Sequence, residues 1–111
     1  MTSPELVATV GTSEGSVLHV VRKGGRVLIA DNATSMPIAD VQSMRDVLLS
    51  AADAEPHVNG SRLLGTVGQV HVLRWPYHVT ITEHPDRHSG WSMNTEQARA
   101  LGEALLSAAG M

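Results

Sequence analysis

The chain contains no cysteine and no phenylalanine, and its 111 residues include one tyrosine and two tryptophans. Without cysteine there is no disulfide framework, no thiol nucleophile and no cysteine-based zinc site. With so few aromatics, the core must be built from Val, Leu, Ile, Met and Ala. No apolar run approaches the roughly 18 residues of a membrane-spanning helix. The opening MTSPELVATV lacks the basic and long apolar regions of a secretory signal. Together these absences set the expectation of a cytoplasmic protein with no membrane association. An excess of one charge is missing too. The formal net charge of −3 announces neither a polyanion binder nor an acidic tail.

Signatures of catalysis are also lacking. There is no G-x-S-x-G nucleophile elbow. Gly65-Thr-Val-Gly68 has the spacing of neither a phosphate loop nor a dinucleotide fingerprint. No carboxylate pair stands apart from the solvated helix faces. The expectation is a non-enzymatic protein without a cofactor.

What is present is a repetition. Residues 18–31 read LHVVRKGGRVLIAD, and residues 70–83 read VHVLRWPYHVTITE. At an offset of 52, His19 matches His71, Val20 matches Val72, Arg22 matches Arg74, Val27 matches Val79 and Ile29 matches Ile81. Asp31 then faces Glu83. At an offset of 57, MPIADVQSMRDVLLSAA (36–52) matches MNTEQARALGEALLSAA (93–109), both ending in LLSAA. Upstream, Val10-Gly-Thr pairs with Leu64-Gly-Thr at an offset of 54. The chain therefore reads as a single domain of two pseudo-repeats, 1–56 and 57–111.

Each repeat predicts strands and then a helix. Leu6–Val10 and Arg62–Val67 are candidate first strands. Val17–Arg22 and Gly25–Ala30 flank Lys23-Gly24-Gly25, a hairpin-turn signal. Val70–Arg74 and His78–Glu83 flank Trp75-Pro76-Tyr77. In the second helix Asn94 and Gln97 have the spacing of a capping box, and Ala98, Leu101, Leu105 and Ala108 make an apolar stripe. In the first helix Val41, Met44, Leu48 and Ala51 match that stripe. Pro37 stands at the N-cap place, with Met36 and Val41 spaced as a hydrophobic staple. Each helix offers about four large apolar groups, worth roughly 1.5–3 kcal/mol each when buried. Ordering one repeat costs on the order of 80 kcal/mol, so neither repeat is expected to fold alone. The predicted fold is α+β: a tandem ββ(β)α duplication with an antiparallel sheet of four to six strands and two helices packed on one face. An apolar far face would call for a homodimer.

Few positions offer chemistry. Glu83, His84 and His88 are candidate metal ligands, since imidazole and carboxylate suit zinc or nickel. Pro85, Gly90 and Arg87 argue instead for a solvated loop. His19 and His71 occupy equivalent strand positions. They are read either as a pH-sensitive pair or, more simply, as rings packed on sheet faces. Trp75 and Tyr77 at a hairpin tip, with Trp91 entering the core before the second helix, are candidate interaction residues; the alternative is that the tip aromatics cover the hairpin's own strands. A cis bond at Pro76 is one way to make that tip. Gly102 stands where the first helix has Arg45, either as a place for a closely packed neighbour or as a tolerated accident. Arg22, Lys23, Arg26 and Arg74 form a candidate basic strip for phosphate contact.

The stretch GWSMNTEQARALGEALLSAAG resembles the end of many small proteins from actinobacteria and their phages; that likeness implies a source and no activity. Duplicated strand-rich units, each closed by one helix, are similar to the whirly and PUR-repeat single-stranded nucleic-acid binders. Gly90-Trp91-Ser92-Met93-Asn94-Thr95-Glu96-Gln97 fits their G-x-S-L-x-x-E-Q pattern, in which a short strand precedes the helix. Ser35-Met36-Pro37 fits it poorly. That resemblance implies nucleic-acid binding. The charge opposes it, with seven acids and four bases in the first repeat and four of each in the second. The leading expectation is a non-enzymatic protein-interaction or regulatory module, of phage origin and dimeric. Single-stranded nucleic-acid binding and metal binding through His84 and His88 are the alternatives.

Overall fold

A computed structural model describes residues 4–55, 60–84 and 90–110. The first unit comprises β1 (Glu5–Gly11), β2 (Val17–Lys23), β3 (Arg26–Ala30), β4 (Ser35–Ile38) and α1 (Val41–Asp53). The second comprises β5 (Arg62–Val67), β6 (Val70–Arg74), β7 (Val79–Thr82), β8 (Trp91–Met93) and α2 (Thr95–Ala109). The fold is α+β with an internal duplication. Each unit builds its own antiparallel four-stranded sheet in sequential order, and a helix follows each sheet.

Alternation of apolar residues directs each sheet's inner face to the core. Val20, Ile29 and Met36 stand side by side in the first sheet, and Val72, Ile81 and Trp91 in the second. All six are buried. The tip Gly24-Gly25 has φ of 57° and 81°, the left-handed pair that a two-residue hairpin turn demands.

The register corrects two sequence pairings. Both first strands shift register at the same place, between Leu6 and Ala8 and between Leu63 and Gly65. Thus β1 and β5 correspond at an offset of 57, not 54. The return to 52 in the hairpins is produced by Thr12–Ser16, for which the second unit has no counterpart. At the other end Met36 lies opposite Ile29, and Trp91 lies opposite Ile81. Met36 is therefore the equivalent of Trp91, and not of Met93.

Nor does Pro37 cap a helix. It sits in β4, an edge strand, where a missing N–H breaks no ladder. The N-cap is Asp40, whose Oδ1 accepts from Ser43 N at 3.0 Å. The Met36–Val41 staple is lost with that change, because Met36 points into the core as a strand residue. In α2 the capping box forms as its sequence predicts. Asn94 Oδ1 accepts from Gln97 N at 2.8 Å, and Gln97 Oε1 accepts from Asn94 N at 2.9 Å.

The two helices pack on each other, and each covers the other unit's sheet. Helix α1 lies on β5 and β6, while α2 lies chiefly on β1, β2 and β3. Gly65 in β5 permits this. A Cβ there would stand 2.9 Å from Val47 Cγ2 of α1, so the strand and the opposite unit's helix touch backbone to side chain. Gly102 lies where the helices meet, its Cβ position 3.5 Å from the Arg45 carbonyl. An Arg99–Asp53 ion pair joins α2 to α1 at the surface. The apolar stripes thus meet one continuous core made of both halves.

Candidate interaction surfaces

With the inner faces covered, the two outer sheet faces are left. Directly opposite residues share a face. In the first sheet this places Leu6, Val21, Leu28 and Pro37 in one row across all four strands. The equivalent row of the second sheet is Leu63, Leu73, Thr80 and Ser92. Leu6 is 59% exposed and Leu63 54%. The twins therefore diverge on the strands farther along the row: Leu28 and Pro37 in one copy, Thr80 and Ser92 in the other. The next row carries Thr9, His19, Ala30 and Ser35 in the first sheet, and Thr66, His71 and Thr82 in the second.

His19 and His71 therefore sit on separate sheets, each among its own strand neighbours. His71 Nδ1 lies 3.1 Å from Thr66 Oγ1. His19 Nδ1 is shielded and makes no hydrogen bond among the described residues.

At the β6–β7 hairpin, Trp75 N donates to His78 O at 2.8 Å, with all described peptide bonds trans. The Trp75 ring stacks on His78, centroids 5.5 Å apart and planes 12° apart. Tyr77 at the tip is 90% exposed. The His78 imidazole is pushed below its ordinary pKa by burial and then by the Arg74 charge, with Glu14 pulling the other way. Trp91, by contrast, is 7% exposed and lies on the inner face. Its Nε1 donates to Asp31 Oδ2 at 2.8 Å, linking the second unit's last strand to the first unit. Asp31 also accepts from Ala33 N at 2.8 Å and Thr34 N at 2.7 Å. The Trp91 bond first, then the Thr34 and Ala33 amides, lower its pKa to about 2.

The basic strip does not assemble. Arg74 is 6% exposed because the β6 alternation turns it inward beside Val79. Its guanidinium donates to the carbonyls of Trp75 and His78. Arg22 is paired with Glu5 at 2.7 Å. Lys23 and Arg26 face each other at the end of the β2–β3 ladder and are exposed.

Of the metal candidates, His84 is exposed and its backbone N–H donates to Thr82 Oγ1 at 2.9 Å, with Glu83 beside it. His88 lies outside the described residues. Among the described residues no three metal-type side chains gather, and no helix is long and apolar enough to cross a membrane.

Among the described residues, clefts open between the units, and two of them bear on the site. One, of about 720 Å³, lies by Arg26, Gln69 and the end of α2; the other, of about 470 Å³, lies by Asp31, Glu83 and Trp91. Sequence reasoning missed the first cleft and the Trp91–Asp31 bond. Both depend on register between the copies. No protein-family model, curated protein or solved structure matches this chain.

Proposed function

We propose that the protein is a non-enzymatic interaction module that self-associates through the outer face of its first sheet. The observation that supports this is the divergence of the twin rows. A solvated face has no need of Leu28 and Pro37 where its duplicate has Thr80 and Ser92. Leu6, Val21 and Leu28 face water unless a second copy covers them. Strands of this length present roughly 400 Å² of sheet face, against about 800 Å² per partner in a standard interface. The dimer is therefore weak and concentration-dependent. Light scattering after size exclusion is expected to rise from 11.8 kDa toward twice that mass as concentration increases. Val21→Thr with Leu28→Thr, the second copying the twin position, holds the protein monomeric with an unchanged circular dichroism spectrum. A wild-type monomer at every concentration, or a dimer indifferent to these changes, refutes the reading.

A second reading is single-stranded nucleic-acid binding. The unit of four strands closed by a helix, present twice, is the organisation that the whirly and PUR-repeat resemblance implies. The remaining exposed bases on the hairpin, Lys23 and Arg26, are few for phosphate contact. Retardation of an oligonucleotide that weakens with salt supports this reading, and no retardation at low salt removes it.

A further inference from the structure

The cleft of about 720 Å³ has one wall from the first unit, with Arg22 and Arg26, and one from the second, with Gln69 and Glu83. Exchanging the two units by their register carries Arg26 onto His78, Pro37 onto Ser92, Glu83 onto Asp31 and Gly68 onto Gly11. The duplicate therefore contains a second place of the same kind. There the extra loop Thr12–Ser16 crosses it. Ser13 N donates to Ser92 O at 2.9 Å, and the charge of Glu14 reaches His78. The loop is held in shape by Thr12 N bonding Ser16 O at 2.9 Å, with their hydroxyl oxygens 2.7 Å apart. On the open side Gly68-Gln69 is all that joins β5 to β6. The neighbouring hairpin tip has Gly25 where the filled side has Tyr77.

The filled side shows what the open side is shaped to take. It receives a short segment of small residues that gives one backbone N–H to an edge-strand carbonyl and carries one carboxylate, that of Glu14. The open side keeps the edge strand and has a cation, Arg26, at the place of His78. Pro37 stands at the place of Ser92 on an edge strand and, having no N–H, offers that edge an acceptor alone. Arg26 makes no ion pair among the described residues and is permanently charged, unlike His78. Of the other charges, Arg22 is occupied by Glu5, and Glu83 has its counterpart in Asp31, which the filled side accommodates.

We infer that the open cleft binds a short acidic peptide segment of a partner protein, with a backbone N–H on the Pro37 carbonyl and a carboxylate on Arg26. The inference rests on the interaction-module reading, and its cleft shares only Pro37 with the dimer-face row. Mass and peptide binding are measured separately, so either can fail alone.

The test is an NMR titration of the full ¹⁵N-labelled chain with the blocked peptide Gly-Thr-Ser-Glu-Gly-Ser-Val, which copies residues 11–17. Without the tether of the intact loop, saturation is expected at roughly millimolar peptide. Shifts should concentrate at Arg26, Gln69 and Ala108. Arg26→Glu should weaken binding about tenfold, and a peptide with lysine in place of its glutamate should regain it on that variant. No saturable shift, or shifts that Arg26→Glu leaves unchanged, overturns the inference. Shifts that a short oligothymidylate reproduces through Arg26 overturn it in favour of a nucleic acid.

Discussion

The contact between Val47 of α1 and Gly65 of β5 joins the helix of one unit to the sheet of the other, and it can be measured. In Gly65→Ala the new Cβ would stand 2.9 Å and 3.1 Å from the two Val47 methyl carbons. Those distances lie inside van der Waals contact, so helix and strand must separate or Val47 must leave its rotamer. Overpacking of this kind costs about 1–3 kcal/mol. Loss of glycine's freedom in the unfolded chain returns about 0.4–1 kcal/mol. The net expectation is a destabilisation of about 1–2 kcal/mol. Val47→Ala alone removes two partly buried methyl groups and costs about 1 kcal/mol. Together the two changes leave room for the new methyl group, so the double variant should be less destabilised than the sum by at least about 1 kcal/mol. Urea unfolding followed by circular dichroism supplies all four corners of the cycle. Simple additivity would mean that the two residues do not touch, and would refute the exchanged packing.

Gly102 makes the contrasting case: a Cβ there meets the Arg45 carbonyl at 3.5 Å, an ordinary contact. Gly102→Ala is expected to stabilise α2 by up to about 1 kcal/mol, read as a higher urea midpoint. Asp31 supplies the acid limb of stability. Its folded pKa of about 2 lies below the ordinary 3.8, so its contribution is complete above 3.8 and is lost as the pH falls through about 2. Trp91→Phe removes the leading cause of that shift, and the Asp31 carboxyl should titrate at a higher pH by NMR. Because each sheet is covered by the other unit's helix, 1–56 and 57–111 made separately should show no cooperative unfolding. Mixing them should restore it.

Much of the fold was legible because duplication repeats its own signals. The LLSAA helices, the Gly24-Gly25 turn and the Asn94–Gln97 box are local features, decided by residues close in the chain. The fourth strand of each unit was harder to see. Ser35–Ile38 and Trp91–Met93 are too short for a period of two to register, and Pro37 reads as a helix start as readily as an edge strand. The correspondence of Met36 with Trp91 was hidden because both copies have a methionine near the helix, and matching letters outweighed matching register. Arg74 looked like a surface cation because strand alternation alone cannot show that hairpin carbonyls will receive an inward guanidinium. The loop Thr12–Ser16 carries no motif that marks it as a contact. Its role across the second unit follows only from which edge of β8 it meets.

The exchange of helices between sheets is tested most directly by nuclear Overhauser contacts in the intact chain. The structure predicts cross-peaks from the Val47 methyls to the Gly65 α-protons, and from the Gln97 side-chain amide to Gly11, whose Cβ position is 3.2 Å from Gln97 Nε2. Cross-peaks placing Val47 on β1 or β2, with none to Gly65, would contradict it.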